Sequence, residues 1–202
     1  MLNKKAAMFG LDARIALAIF GALSVISGAA LYSAIQQAKV VAVVVSIKEV
    51  HKAYEQYYLD VGSELPRLSS GSVAFSLKDL VENLAGVTGW NGPYVSYAPH
   101  PSDKHYLLYP EYDDFQMFGR SIGDAWGGTE GTDLSLPSAC TGASEPCGRW
   151  VYVETLTHSF ADAIDEYVDG TLGSKTGNLR VVKRLSGNAG VYYLDGNTEP
   201  TS

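Results

Sequence analysis

The sequence predicts an α+β protein in which one long amino-terminal helix precedes an antiparallel β-sheet head. Three observations predict it: an uninterrupted apolar run from Ile15 to Ile35, an apolar stripe at helical spacing that continues to Val61, and a remainder built of short Tyr-, Val- and Leu-rich runs separated by Gly, Asn, Asp and Ser. A chain of 202 residues suffices for one head domain plus an anchoring segment and is tight for two independent domains. The expected organisation is a leader over 1–10, a hydrophobic then amphipathic helix over 11–62 and a globular head over 63–202.

The run Ile15 to Ile35 covers roughly 31 Å as a helix, the hydrocarbon thickness of a bilayer. Lys4, Lys5 and Arg14 outweigh Asp12 on its amino-terminal flank, so the positive-inside rule keeps that flank in the cytoplasm and exports the rest. Small residues at Gly28 and Ala30 also suit a signal cut, and an ordinary single-pass anchor is a further reading. The continuation beyond the run argues against both. Val40, Val43, Ile47, Val50, Tyr54, Tyr57 and Val61 recur at spacings of three and four, with Lys48, Glu49, Lys52, Glu55 and Gln56 largely off the stripe. No Pro precedes Pro66, and Gly62 stands where the helix should end. Gly21, Ser24, Ser27, Gly28, Ala29 and Ala30 make the apolar half rich in small side chains, which permit close approach of helix backbones in lipid.

In the head, strands are expected at Tyr94 to Tyr97, Tyr106 to Tyr109, Phe115 to Ile122, Trp150 to Val153, Leu179 to Leu185 and Val191 to Leu194, the last two joined through Gly187-Asn188-Ala189-Gly190. A helix is expected around Leu77 to Leu84. A second carries Leu156, Phe160, Ile164 and Tyr167 on one face, with Ser159 and Asp162 capping its start and Gly170 its end; an exposed loop over 169–178 follows. Cys140 and Cys147 bound a polar loop and are placed to close a small disulfide ring in an exported domain; in a reducing compartment they are two free thiols.

The amino-terminal third resembles the prepilin family of type IV pilins and type II secretion pseudopilins: a short leader with Lys4 and Lys5, Gly10 at its end, an apolar start and a long helix running into a Gly/Pro-marked head. The resemblance implies a prepilin peptidase cutting between Gly10 and Leu11, methylation of the new amino terminus, and polymerisation through the helix. Leu11 replaces the commoner Phe. Ile15 stands where the family carries the Glu that neutralises a neighbouring subunit's amine. A buried amine without a partner costs several kcal/mol, so Asp12, accompanied by Arg14, is the candidate for that role; retention of the leader is the alternative. The implied assembly residues are Asp12, Arg14, Gly21, Gly28, Val40, Val43 and Ile47. A looser resemblance lies in two turns of the head, Gly89-Trp90-Asn91-Gly92-Pro93-Tyr94 and Asp124-Ala125-Trp126-Gly127-Gly128, the second with Ala125 where the family has Pro.

What the resemblance implies is a structural subunit of a pilus-like filament. It would be a single-pass inner-membrane precursor that meets the pilus or secretion assembly machinery and becomes part of a helical homopolymer at the cell surface, serving adhesion, motility, secretion or DNA uptake. A minor pseudopilin, or a membrane-anchored binding module that does not polymerise, is the alternative. The formal charge of −7 disfavours general nucleic-acid binding. No nucleophile elbow, zinc-protease helix or phosphate loop occurs, and no catalysis and no cofactor are expected. Calcium is the one cation kept open, on Asp162, Asp165, Glu166 and Asp169; a solvated acidic face is the favoured reading. His100 and His105 are read as surface residues, and the 13 Tyr as packing residues of an exported sheet.

Overall fold

A computed structural model of the chain describes residues 3–110, 112, 114–123, 125–140 and 147–195. Helix α1 runs from Asn3 to Val61 without interruption, starting ahead of the expected Leu11 and ending where the stripe ends. Gly62 closes it in the left-handed conformation (φ 73°), its N–H donating to the Tyr58 carbonyl at 2.8 Å. Glycine takes this conformation at no steric cost, which is why it ends helices. The chain divides into two compact units, Met1–Val41 and Ala42–Ser202, and α1 contributes to both.

The second unit is built on a five-stranded sheet in the order β1-β3-β5-β4-β2, formed by β1 (Gln116–Ser121), β2 (Gly128–Thr129), β3 (Cys147–Thr157), β4 (Leu179–Lys183) and β5 (Asn188–Leu194). It is mixed rather than purely antiparallel, because β2 pairs in parallel with β4 while every other ladder is antiparallel. At two residues, β2 is too short to leave a periodic signal. Along β3 and β5, Val151 and Val153 pair with Tyr193 and Val191, while Trp150 and Tyr152 pair with Leu194 and Tyr192, so alternation puts the two sets on opposite faces. The second set joins Trp126 and Phe118 in an aromatic layer. Arg180 adds its guanidinium there, 5.2 Å from the Trp150 ring centroid.

Several expected elements differ. The segment around Leu77 to Leu84 forms only a 3-10 turn, Leu77–Leu80, because Asp79 draws the chain aside: its carboxylate accepts from Ser76 Oγ at 2.6 Å and from the Ala85 N–H at 3.0 Å. Tyr94 to Tyr97 joins no ladder; the Tyr94 N–H donates instead to the Leu80 carbonyl. Tyr106 to Tyr109 makes only isolated bridges, at Leu107. The β4–β5 turn is Arg184–Gly187, and Asn188 to Gly190 already belong to β5. Helix α2 (His158–Asp169) is capped by Thr157, whose Oγ1 accepts from the Phe160 N–H, rather than by Ser159, and Gly170 ends it as expected. Leu156 is the last buried residue of β3, so the helix buries Ala161, Ile164 and Asp165 while Tyr167 is exposed.

Candidate functional site

Two surfaces of α1 carry the functional argument. In the first unit, the apolar residues from Ile15 to Ile35 are exposed all round the helix: Leu17, Phe20, Leu23, Val25, Ile26 and Leu31 each leave more than half of their surface uncovered. The helix is long and apolar enough to cross a membrane, and none of its most apolar window is buried. A helix apolar on every side lacks the polar face that water requires, so it needs lipid or other apolar surface around it. Gly10, Asp12, Arg14, Gly21 and Gly28 are exposed on this stretch, and a Cβ built on any of the three glycines meets nothing within 4 Å. The backbone of Leu11 is helical; the first two residues of the expected leader lie outside the described residues.

From Ala42 to Val61 the same helix is enclosed on one side. Val43, Ile47, Val50 and Tyr57 have no exposed surface, Tyr54 is buried, and Lys48, Glu49, Lys52 and Gln56 face outward. Val40, at the end of the first unit, is buried too. Side chains of Val43 and Ile47 are thus covered by their own chain. A stripe at spacings of three and four requires a cover, and contacts of His51 with Tyr193 of β5, of Tyr54 with Arg149 of β3 and of Tyr57 with Tyr94 contribute to it.

Polar groups fix this seat. Tyr97 and Tyr94 donate from their hydroxyls to Glu49 at 2.8 Å and Asp60 at 3.0 Å on the helix. Burial, with the Glu49 carboxylate adding to it, pushes the Tyr97 hydroxyl up to about 12. The Gly89 to Tyr94 turn is a clamp on the helix end: a Cβ on Gly89 would stand 2.4 Å from the Asp60 carbonyl oxygen, and Trp90 Nε1 donates to the Asp79 carbonyl at 2.8 Å. Arg149 of β3, almost fully buried, pairs with Glu64 just beyond the helix and lies over the Phe75 ring. It also bonds the Tyr54 hydroxyl, whose proton affinity is raised mainly by burial. His51 is wholly buried against β5, with Nε2 3.0 Å from the Tyr193 carbonyl oxygen. His51, Glu64 and Arg149 stand in no motif of the sequence, yet His51 falls four residues after Ile47 and three before Tyr54, so the stripe's own periodicity places it inward.

Cys140 and Cys147 form a disulfide that joins the start of β3 to the preceding strap; the loop between them, 141–146, lies outside the described residues. Of the second resembling turn, Asp124 lies outside them too, while Trp126 is fully buried against Trp150 and Tyr192. The acids of α2 bind β4 and the loop that leads to it. Asp162 pairs with Lys183 at 2.6 Å, Asp165 accepts from the Gly173 N–H at 2.8 Å, and Asp169 accepts from the N–H groups of Asn178 and Leu179, each at 3.0 Å. His100 accepts from the Asp103 N–H at 3.1 Å, and His105 packs on Phe118. Among the described residues no group of three or more His, Cys, Asp and Glu is arranged to hold a metal ion. Comparison with protein-family models, with curated proteins and with solved structures finds no match to this chain.

Proposed function

We propose that this chain is a pilin-like structural subunit: an inner-membrane precursor, anchored by the first half of α1, that polymerises through that helix into an extracellular filament. The observation that carries the reading is the division of one helix into an exposed half, apolar on all sides, and a half docked on an α+β head. Such a helix exchanges lipid contacts for helix contacts on assembly, and Gly21 and Gly28 leave room for close backbone approach. Asp12, accompanied by Arg14, is the acid available to neutralise a neighbouring subunit's terminal amine in the fibre core. No catalytic step and no cofactor enter this reading.

A second reading, a membrane-anchored binding module that does not polymerise, is favoured by one observation. The stripe residues Val43 and Ile47 are already satisfied within the chain, so the docked half demands no neighbour.

The test is to shear the surface of expressing cells, image the material for filaments, and measure the mass of the mature subunit. Filaments containing this chain, with a mass set by a cut between Gly10 and Leu11, are expected. A full-length chain that stays in the membrane under strong expression favours the second reading.

A further inference from the structure

We propose that His51 makes the docking of α1 on β5 sensitive to pH, acid unseating the segment Ala42–Val61 from the sheet. The two ring nitrogens of His51 are not equivalent. A carbonyl oxygen only accepts, so the contact with Tyr193 O requires Nε2 to carry the hydrogen. The lone pair that would take a further proton is then on Nδ1, which is buried and has no hydrogen-bond partner among the described residues. Protonation there places a full charge and an unsatisfied donor in the packed seam between helix and sheet, where the Tyr193 ring stands edge-on at 5.7 Å.

The charged groups facing this position do not offset that cost. On α1, Lys48 reaches over the same Tyr193 ring, 5.7 Å from its centroid, and adds positive charge; Glu55 lies one turn further on and is only half-buried. From the end of β5, Asp195 favours the imidazolium, and from α2 the charge of Asp169 reaches Tyr193. Burial outweighs the Tyr193 carbonyl and Asp195 together and holds the imidazole below its ordinary value of 6.5. A group depressed in the folded state contributes stability that is complete above its unfolded value. That stability is lost as pH falls below 6.5, by up to about tenfold in the opening equilibrium per pH unit until the folded-state value is reached.

The experiment uses the full chain in detergent micelles, with hydrogen exchange of Ala42–Val61 and of β5 followed from pH 7.5 to 5 after correction for intrinsic rates. Wild type is expected to lose protection in both segments together as pH falls, by up to about tenfold per unit. His51→Gln keeps a donor for the Tyr193 carbonyl, keeps the Arg149–Glu64 pair and does not titrate, so its protection should fall clearly less than in wild type over the same range, the burial-lowered His105 being common to both proteins. An equal loss in His51→Gln overturns the proposal. Should that variant fail to fold, an NMR titration of the wild-type imidazoles decides: a native His51 that titrates at 6.5 or above overturns it, and one that titrates lower supports it.

Discussion

The two halves of α1 are both rich in apolar residues, and their surroundings are opposite. Leu23 is 57% exposed and Ile47 is 0% exposed, although both are large aliphatic side chains on one continuous helix. The difference lies in arrangement. Between Ile15 and Ile35 apolar side chains point in every direction, so no rotation of the helix presents a wettable face. Between Ala42 and Val61 most of them form one buried stripe, and Lys48, Lys52 and Gln56 share the other side with only a few apolar side chains such as Val45 and Leu59. Apolar content alone therefore does not tell a core helix from a membrane helix; the angular distribution of that content does.

The contrast can be broken most directly at Ile47. Truncation to Ala should cost the head about 3 kcal/mol, the transfer term plus the cavity, and lower its urea midpoint without changing how much protein sits in the membrane fraction. Leu23→Lys should do the reverse. A charge near the centre of a spanning helix opposes insertion by about 3 kcal/mol, so the chain should move towards the soluble fraction while the urea midpoint of the head stays put. Loss of head stability in Leu23→Lys would show that the first half is packed against something after all. The smallest effect concerns where the helix stops. Gly62→Ala meets no steric neighbour, so only the left-handed backbone is charged against it, about 1 kcal/mol, and Gly62→Asn should recover part of this in thermal unfolding.

Within the head, legibility followed the length of the periodic signal. Strands β1 and β4 lay within the expected Tyr- and Val-rich runs, while β3 extends beyond its run at both ends and β5 begins three residues ahead of its run. The disulfide between Cys140 and Cys147 was legible because two cysteines so close in a polar loop have few other uses in an exported chain. Tyr94 to Tyr97 has the composition of a strand yet serves as a strap, because its hydroxyls are spent on Glu49 and Asp60 of α1, far away in sequence. Thr157 displaced Ser159 as the cap of α2 because β3 runs on through Leu156 and leaves Thr157 as the last extended residue before the turn. The buried charges were invisible for a related reason. Arg149 and Asp165 sit inside only because Glu64 and the Gly173 N–H come to meet them from other segments.

By itself the sequence determined that α1 exists, that it ends at Gly62, that its first half is apolar all round and that its second half bears one apolar stripe. These are local properties, set by side-chain spacing at 3.6 residues per turn and by the absence of Pro. Only the tertiary structure decided what covers the stripe, that β2 runs parallel to β4, and that His51 lies sealed against Tyr193. Each of those depends on segments more than forty residues apart meeting across the sheet, and no local periodicity encodes which partner a face will find.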